Sequence, residues 1–412
     1  MAPIPLLISA GEASGDMYAA RLAVALKNRL DVSLFGMGGA QMRAAGVDVV
    51  ADYREVSVVG ITEILSHLPS LVRAMRHLVS EATRRKPQFA IVTDFPGFHL
   101  RLARKLRPHG VKNIYYICPQ FWAWRPWRVR VVRRRFAQAF CIFPFEEPFF
   151  ANAGIPTKFI GHPLVGNVQP TQSREEFFRQ HNLNPQLPLV AILPGSRHAE
   201  LAQHMPVIRE ACAILHRQNL EGRASSAAGA ILSAARDPGK VASRSNLAEG
   251  PLQFVIAAAA HSNLPDLQSN WPAHLTVRVV ENQTYDALAS ANAAIVSSGT
   301  ATVEAALLDV PMVVIYRVTP LTALLAKPLV RTSYFSMVNL IAERRVVPEL
   351  IQSDFTPDRL AQEILNLLQN PPAREQLRSG LAEVRRRLGP PGAVERAADA
   401  IAHLIQSSVA VP

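Results

Sequence analysis

Short apolar runs alternate with segments of helical periodicity along the whole chain. The helical segments place apolar residues three or four positions apart, and the runs between them are compact and rich in β-branched residues. This alternation is typical of parallel sheets in which each strand is followed by a helix. We therefore predict strands at residues 4–9, 32–35, 89–93, 113–117, 139–143, 189–193, 254–258, 293–296 and 312–316.

The pattern divides into two doubly wound α/β domains. Proline, asparagine and glutamine accumulate between Gly161 and Pro188, before a fresh strand begins, and this indicates a boundary. We expect domains at residues 1–165 and 186–385, followed by a helical segment at 386–412. Residues 221–250 are rich in Ala, Ser, Gly and Arg, so we expect an exposed insertion there, with an Ala-rich helix as the alternative.

Two strand ends in the second domain carry small residues, where backbone N–H groups can approach an anion. The segments are Leu193-Pro194-Gly195-Ser196-Arg197 and Ser297-Ser298-Gly299-Thr300, the latter followed by Glu304. Helix N-termini after such turns bind phosphates, so we expect a nucleotide diphosphate here. Arg197 would add a cation, and Glu304 would accept hydrogen bonds from ribose hydroxyls. Ordinary βα loops are the alternative interpretation.

Acidic and hydroxyl side chains also follow two strands of the first domain. Glu12, Ser14 and Asp16 come after the first strand, where we expect substrate contacts, with N-capping by Ser14 or Asp16 as the alternative. Asp94 follows the strand at 89–93 and is a candidate general base or a helix cap. His99 and His162 are also acid–base candidates, although a lone histidine is more often structural.

The 412-residue chain is 49% hydrophobic and carries a net charge of +12. No apolar stretch reaches the roughly 18 residues of a membrane span, and no signal sequence is evident, so we expect a cytoplasmic protein. The three cysteines have no metal-ligand spacing and no Asp-x-Asp motif occurs, so we expect neither a metal nor a cofactor. Arg197 and the two helix N-termini would instead assist departure of a diphosphate.

The positive charge indicates a polyanionic partner, which could be nucleic acid, an acidic membrane face or a phosphorylated substrate. Basic residues interleaved with tryptophans suit nucleic acid or lipid headgroups, and a solvated helix face is the alternative. The arginines cluster beside Trp122, Trp124 and Trp127, at Arg125, Arg128, Arg130, Arg133, Arg134 and Arg135.

An amphipathic helix is predicted between residues 58 and 79, with Pro69 kinking it or starting its second half. Such a stripe forms either a buried core face or a face that admits acyl chains or touches a membrane. Its apolar positions are Val58, Ile61, Leu65, Leu68, Val72, Met75 and Val79.

Several short motifs, in a fixed order over most of the chain, resemble the lipid-A-disaccharide synthase family (glycosyltransferase family 19). In the first half they are Gly11-Glu12-Ala13-Ser14-Gly15-Asp16, Gly36-Met37-Gly38-Gly39 with Met42, Val59-Gly60 with Glu63, Pro119 with Trp122-Ala123-Trp124, Pro144-Phe145-Glu146 and Phe159-Ile160-Gly161-His162-Pro163. In the second half they are Leu193-Pro194-Gly195-Ser196-Arg197, Ser298-Gly299-Thr300-Ala301-Thr302 with Glu304, and Asn339 with Pro348-Glu349-Leu350.

The resemblance implies a GT-B fold, in which two Rossmann-like domains face a cleft, with the acceptor mainly on the amino-terminal domain and the UDP donor mainly on the carboxyl-terminal one. It implies an inverting, metal-independent hexosyltransferase that joins UDP-2,3-diacylglucosamine to the 6-hydroxyl of 2,3-diacylglucosamine 1-phosphate through a β-1,6 bond and releases UDP. Asp94 and Arg197 would be catalytic. The expected substrate-binding residues are Glu12, Ser14, Asp16, Ser196, Ser298, Gly299, Thr300, Glu304 and Asn339.

The same resemblance implies a peripheral protein on the cytoplasmic face of the inner membrane, without a nucleic-acid partner. Four positions depart from the family's pattern: Gly97 replaces a frequent acid, Met337-Val338 replace Leu-Pro, and Ala19 replaces a frequent Gly. The alternatives are another GT-B UDP-sugar transferase or epimerase, or a non-enzymatic basic nucleic-acid-binding protein. The sequence leaves open whether the chain forms a homo-oligomer.

Overall fold

The computed structural model describes residues 3–56, 64–124, 126–236, 251–258, 264–326 and 332–409. The chain forms two compact α/β units, of which the first comprises Met1–Gly166 with Leu388–Pro412 and the second comprises Asn167–Arg387. Each unit is built on a parallel sheet whose central strands are buried on both faces, as their continuous apolar sequences require.

The sheet of unit 1 has seven parallel strands in the order β3-β2-β1-β4-β5-β6-β7. The chain order reverses between β1 and β4, and this is the point where open α/β sheets bind ligands at the carboxyl ends of their strands. The strands are β1 (Ile4–Ala10), β2 (Val32–Gly38), β3 (Asp48–Asp52), β4 (Phe89–Thr93), β5 (Lys112–Tyr116), β6 (Gln138–Cys141) and β7 (Thr157–Phe159).

Helices cover the sheet of unit 1 through apolar side chains. They are α1 (Ala13–Lys27), α2 (Ala40–Ala44), α3 (Ile64–Arg85), α4 (Pro96–Leu106), α5 (Phe121–Trp124), α6 (Val129–Arg135), α7 (Glu146–Asn152) and, at the end of the chain, α17 (Ala393–Val409). Helices α3, α4 and α6 pack on one side around Leu7, Phe35 and Tyr115. Helix α17 packs against α1, so the C-terminal segment, expected to be separate, is part of unit 1.

The sheet of unit 2 has six parallel strands in the order β10-β9-β8-β11-β12-β13, and the chain order reverses between β8 and β11. The strands are β8 (Leu189–Leu193), β9 (Gln253–Ala258), β10 (Thr276–Glu281), β11 (Ala293–Ser297), β12 (Met312–Tyr316) and β13 (Glu349–Ile351). The helices are α8 (Arg174–Gln180), α9 (His198–Arg236), α10 (Leu264–Gln268), α11 (Thr284–Ser290), α12 (Thr300–Leu307), α13 (Pro320–Ala326), α14 (Met337–Ala342), α15 (Pro357–Gln369) and α16 (Pro371–Arg387).

All nine predicted strands are present, together with four that the apolar pattern did not indicate: β3, β7, β10 and β13. Each of these four lies at an edge of its sheet. Within the stretch expected to be an insertion, residues 221–236 continue α9, so the Ala-rich helix describes this part, and residues 237–250 lie outside the described residues.

Candidate active site

The structure brings the two small-residue turns of unit 2 together at the point where its strand order reverses. One turn follows β8 and the other follows β11, which are neighbouring strands. Between them lies a pocket of about 360 Å³, a size typical of small-molecule sites. Its lining residues are Leu193, Gly195, Ser196, Arg197, Glu200, Ala257, Thr284, Ser297, Ser298, Gly299, Thr300, Ala301 and Glu304.

Helix α12 presents its N-terminus to this pocket. Gly299 is its N-cap residue and has φ +150°, and because it is a glycine it provides no side-chain cap. The Ser298 hydroxyl donates to the Phe335 main-chain oxygen across 2.6 Å, which holds the turn in place. A helix N-terminus without a side-chain cap offers N–H groups and positive potential to an anion, as the sequence predicts.

Helix α9 differs, because a carboxylate from its first turn already binds N–H groups of the turn that precedes the helix. Glu200 Oε2 accepts hydrogen bonds from the N–H groups of Ser196 and Arg197, at 3.2 and 3.4 Å. Glu200 Oε1 forms an ion pair with Arg197 Nη1 at 2.8 Å, although the Arg197 side chain is 72% exposed. The cradle expected to hold phosphate after β8 is therefore filled internally.

Glu304 lies at the pocket, as its position on α12 predicts. The Tyr285 hydroxyl donates to Glu304 Oε1 across 3.3 Å, and burial raises the pKa of the Glu304 carboxyl. Three residues at or beside the pocket were not predicted: Glu200, Thr284 and Tyr285. A signal for Glu200 was its position three residues after Arg197 in the first helical turn, where acids cap helices.

Asn339 is placed inside unit 2 instead of at the pocket. Its side chain is 0% exposed, and its Oδ1 accepts from the N–H groups of Val346 and Val347 at 2.7 and 2.9 Å. Its Nδ2 donates to Val347 O and Glu349 Oε1. These contacts satisfy the amide, so we correct its expected substrate contact to an internal role, in which it ties α14 to the segment before β13.

In unit 1, Asp94 lies immediately after β4, where the strand order reverses. Asp94 and the following Phe95 both have left-handed backbone conformations, with φ +53° and +38°. Asp94 Oδ1 accepts from the N–H of Gly11 at 2.8 Å, and a Cβ on Gly15 would lie 1.6 Å from Oδ2. Burial raises the Asp94 pKa to about 8, an effect that main-chain N–H groups partly offset.

His99 supports the Asp94 main chain from inside the unit. Its Nδ1 lies 3.0 Å from Asp94 O, which also accepts from the Tyr115 hydroxyl at 2.8 Å. Because a carbonyl oxygen only accepts, Nδ1 carries the hydrogen and Nε2 accepts from the Ser9 hydroxyl at 2.8 Å. Burial lowers the His99 pKa to about 4, so the ring is neutral and positions Asp94 without exchanging protons itself.

The turn after β1 separates into exposed and buried groups. Glu12 and Ser14 are exposed, and the charge of Glu12 acts on the Asp94 carboxyl. Asp16 is buried, and its carboxylate accepts from the N–H groups of Gly39, Gln41 and Met42 at 2.6, 3.0 and 3.3 Å. We therefore correct the expected role of Asp16 from substrate contact to a cap on the N-terminus of α2.

A second buried polar cluster lies at the ends of β5 and β6. The Trp122 indole N–H donates to Glu146 across 3.0 Å, and burial raises the Glu146 pKa to about 7. His162 Nδ1 accepts from the Leu164 N–H at 3.2 Å, and burial lowers the His162 pKa to about 3. Since His162 is enclosed and neutral, the structure does not support it as an acid or base.

The exposed surface of α3, α4 and α6 forms a face that we call the basic face. Helix α4 packs beside both α3 and α6, and the sequences of α4 and α6 contain no acidic residue. Three large apolar side chains within or beside the basic face are exposed: Leu68 (52%), Val72 (41%) and Trp127 (55%). Its exposed cations and histidine are Arg73, Arg76, His77, Arg101, Arg104, Lys105, Arg130, Arg133 and Arg134.

The predicted stripe on α3 is thus divided between core and surface. Met75 and Val79 pack into the core, whereas Leu68 and Val72 face outward, and the helix continues through Pro69. Val58 and Ile61, like Arg125 of the arginine cluster, lie outside the described residues. In the part of the chain that the structure describes, no helix is long and apolar enough to cross a bilayer. The same described residues contain no group of three His, Cys, Asp or Glu side chains that could hold a metal ion.

Comparison with known proteins identifies the family. A family model described as lipid-A-disaccharide synthetase matches residues 6–224 and 250–398. The chain belongs to the lipid-A-disaccharide synthase family. The resemblance of its motifs to this family is therefore confirmed, and the two matched ranges leave out residues 225–249, within the stretch expected to be an insertion.

Curated members of the family match the chain over nearly its whole length. Lipid-A-disaccharide synthases of Solibacter usitatus, Geobacter sulfurreducens and Myxococcus xanthus are 42%, 40% and 38% identical, and each alignment covers 98% of both chains. These values extend the family relationship across both units.

Solved structures with little sequence identity share the fold. The MnaA–UDP co-structure of Staphylococcus aureus has a TM-score of 0.61 at 11% identity and covers 98% of this chain and 97% of that one. Acinetobacter baumannii MurG has a TM-score of 0.55 at 16% identity, with 98% and 100% covered. The CalG4 calicheamicin glycosyltransferase has a TM-score of 0.54 at 16% identity and covers 100% of both chains. With two parallel-sheet units, the family member has the GT-B fold that its motifs imply.

Proposed function

We propose that the chain is an inverting glycosyltransferase that forms the β-1,6 lipid A disaccharide. It transfers the sugar of UDP-2,3-diacylglucosamine to the 6-hydroxyl of 2,3-diacylglucosamine 1-phosphate and releases UDP. The family membership supports this reaction. The residue roles are supported by the position of the two candidate sites, because each lies where the strand order of its sheet reverses.

Unit 2 is the donor side in this proposal. The diphosphate lies at the N-terminus of α12, where Gly299 and Thr300 border the pocket, and Glu304 accepts hydrogen bonds from ribose hydroxyls. Ser196 and Ser298 supply further polar contacts. Fixed positive potential from α12, together with the Arg197 guanidinium, stabilises the negative charge that develops on the departing UDP, without requiring a metal.

Unit 1 is the acceptor side. Asp94 takes the proton from the attacking 6-hydroxyl, a role that general bases perform with a gain of about 10²- to 10⁴-fold in rate. Glu12 and Ser14, which are exposed on the turn after β1, contact the acceptor sugar. His99 and Tyr115 hold the Asp94 main chain, so that its carboxylate keeps one position during the reaction.

The basic face docks the protein on the cytoplasmic face of the inner membrane, where its acylated substrates reside. Its arginines attract anionic headgroups, and Leu68, Val72 and Trp127 insert among the lipids, as exposed apolar and indole side chains do at interfaces. This association is peripheral.

The experiment that tests this function measures UDP release by the purified full chain in detergent and EDTA. UDP-2,3-diacylglucosamine is supplied with and without 2,3-diacylglucosamine 1-phosphate, and the products are separated by mass. Acceptor-dependent release of UDP with formation of the disaccharide is the expected result. Consumption of the donor without acceptor would favour an epimerase or hydrolase, and absence of turnover with both substrates would contradict the proposal.

A further inference from the structure

The sequence predicts the same anion-binding role for the two helix N-termini at the donor pocket. In the structure the two ends differ. The N-cap residue of α12 is a glycine and provides no side-chain cap, whereas Glu200 binds the N–H groups of the turn that precedes α9. Both turns line the same pocket. An internal carboxylate at one of them makes α12 the available end for an anionic ligand and leaves Arg197 as the contribution of the α9 side.

We propose that Glu200 is a positioning residue for the donor diphosphate, acting through Arg197. Its carboxylate forms an ion pair with the Arg197 guanidinium at Nη1 and accepts a hydrogen bond from the Arg197 main-chain N–H. Arg197, which lines the pocket, is thereby held on the α9 side, and from there its guanidinium is to contact the phosphates at α12. This inference rests on the proposed function for the identity of the ligand, and it assigns a role to a residue outside the expected site.

The local geometry is built around this carboxylate. The Glu200 side chain is 10% exposed, so its charge is largely removed from water and is compensated by three donors on two residues. Gly195 has φ +122°, and a Cβ there would lie 2.7 Å from Glu200 Oε2. Glycine at this position therefore permits both the turn and the close approach of the carboxylate.

The inference requires Glu200 to have two opposing effects on a bound diphosphate. A carboxylate in the pocket repels an anion, but it also reduces the freedom that Arg197 loses when it binds that anion. Glu200 favours diphosphate binding by restricting Arg197, and its own negative charge opposes diphosphate binding. The two effects are separable, because only the first depends on the presence of Arg197.

A double-mutant cycle on UDP affinity tests this prediction. The full chain and its Arg197→Ala, Glu200→Gln and doubly substituted variants are titrated with UDP by calorimetry, with thermal melting as the measure of folding. Glutamine keeps an oxygen that accepts from the main-chain N–H groups, so the turn is retained while the charge is removed. Glu210→Gln, an exposed charge removal on the same helix, is the matched control.

The expected signature is that Glu200→Gln weakens UDP binding only when Arg197 is present. In the chain with Arg197, Glu200→Gln weakens UDP binding by about three- to tenfold, the size of a typical coupling between contacting residues. In the Arg197→Ala chain, the same substitution leaves UDP binding unchanged or strengthens it. Glu210→Gln changes neither. Equal weakening in both backgrounds would overturn the inference in favour of a simple helix cap, and so would unchanged binding when Arg197 is present.

The transfer assay separates failure of this inference from failure of the proposed function. If UDP binding by the four proteins follows the expected cycle but the wild-type protein transfers no sugar, the role of Glu200 stands and the proposed reaction is contradicted. If the wild-type protein transfers the sugar but UDP binding does not follow the cycle, the proposed reaction stands and the role of Glu200 is contradicted. In an active enzyme, Glu200→Gln is also expected to lower kcat by about tenfold, equivalent to 1.4 kcal/mol, because Arg197 is less ordered in the transition state.

Discussion

His99 donates its Nδ1 hydrogen to the main-chain oxygen of Asp94 across 3.0 Å, which joins a buried neutral ring to the candidate base. Its other nitrogen accepts from Ser9 on the neighbouring strand β1. The ring therefore connects the two strands between which the chain order reverses. The hydrogen bond from His99 holds the Asp94 main chain, which has a left-handed conformation. The Asp94 carboxylate lies against the N-terminus of α1.

Replacing His99 by leucine removes the donor to Asp94 and leaves a buried carbonyl with Tyr115 as its remaining side-chain donor. We expect kcat to fall by about tenfold and the unfolding free energy to fall by about 1–3 kcal/mol, the usual cost of a lost buried hydrogen bond. His99→Asn keeps an N–H donor of similar reach, so it should recover most of kcat. Steady-state kinetics beside chemical denaturation measures both quantities, and equal kcat losses in the two variants would argue against positioning.

The Asp94 carboxyl has a pKa raised to about 8 by burial, so at neutral pH most molecules carry it protonated. A general base acts in its deprotonated form. We therefore expect kcat/KM to rise about tenfold per pH unit below 8 and to level off above it, provided that the substrates do not titrate in this range. A kcat/KM profile measured from pH 6 to 9 checks this, and a flat profile would contradict an Asp94 base with this pKa.

Asp16 is expected to stabilise the fold without contacting substrate. Asp16→Ala leaves the N–H groups of Gly39, Gln41 and Met42 without their acceptor, so the unfolding free energy should fall by about 2 kcal/mol. UDP affinity, which belongs to unit 2, should stay within twofold.

The neighbouring Ser14 provides the matched control for Asp16. It is exposed, so Ser14→Ala should change the unfolding free energy by less than about 0.5 kcal/mol. Its effect should appear in KM for the acceptor. Denaturation and kinetics on both variants separate the two roles, and an unchanged stability in Asp16→Ala would refute the capping assignment.

Charge reversal on the basic face should release the protein from membranes. We expect the double variant Arg130→Glu, Arg134→Glu to bind vesicles of anionic phospholipid at least tenfold more weakly, since each basic residue near such a surface contributes about 1 kcal/mol. The control variant, Arg21→Glu with Lys158→Glu, changes the net charge equally at exposed positions outside this face. Vesicle sedimentation compares them, and equal losses would indicate a response to net charge alone.

The strands missed from the sequence share a physical cause. Each of them is an edge strand. Most residues of β3 and β10 are half-buried or exposed, whereas a central strand such as β4 is buried throughout. A continuous apolar run marks a strand buried on both faces, so central strands such as β4 and β8 were predictable and edges were not. Several family motifs, by contrast, lie at the ends of central strands in both units, and the site roles predicted from them stay predictions.

Residue roles within those sites were harder to predict, because they depend on contacts between distant segments. Nothing local distinguishes Asp16, which caps a helix 23 residues further on, from the exposed Ser14 two positions earlier. Asn339 looks equally suited to bind a sugar or to tie two segments together, and burial decides between them. Small-residue turns after β8 and β11 predicted two anion cradles, but Glu200 fills one of them.

The role of Asp94 as general base is tested by comparing wild type with Asp94→Asn in acceptor-dependent UDP release and in UDP binding. Asparagine retains an oxygen that accepts from Gly11, and burial disfavours the charge that it removes, so the variant should melt at no lower temperature. We predict a loss of about 10²- to 10⁴-fold in kcat, with the Kd for UDP unchanged within twofold. Wild-type turnover in Asp94→Asn would contradict this role.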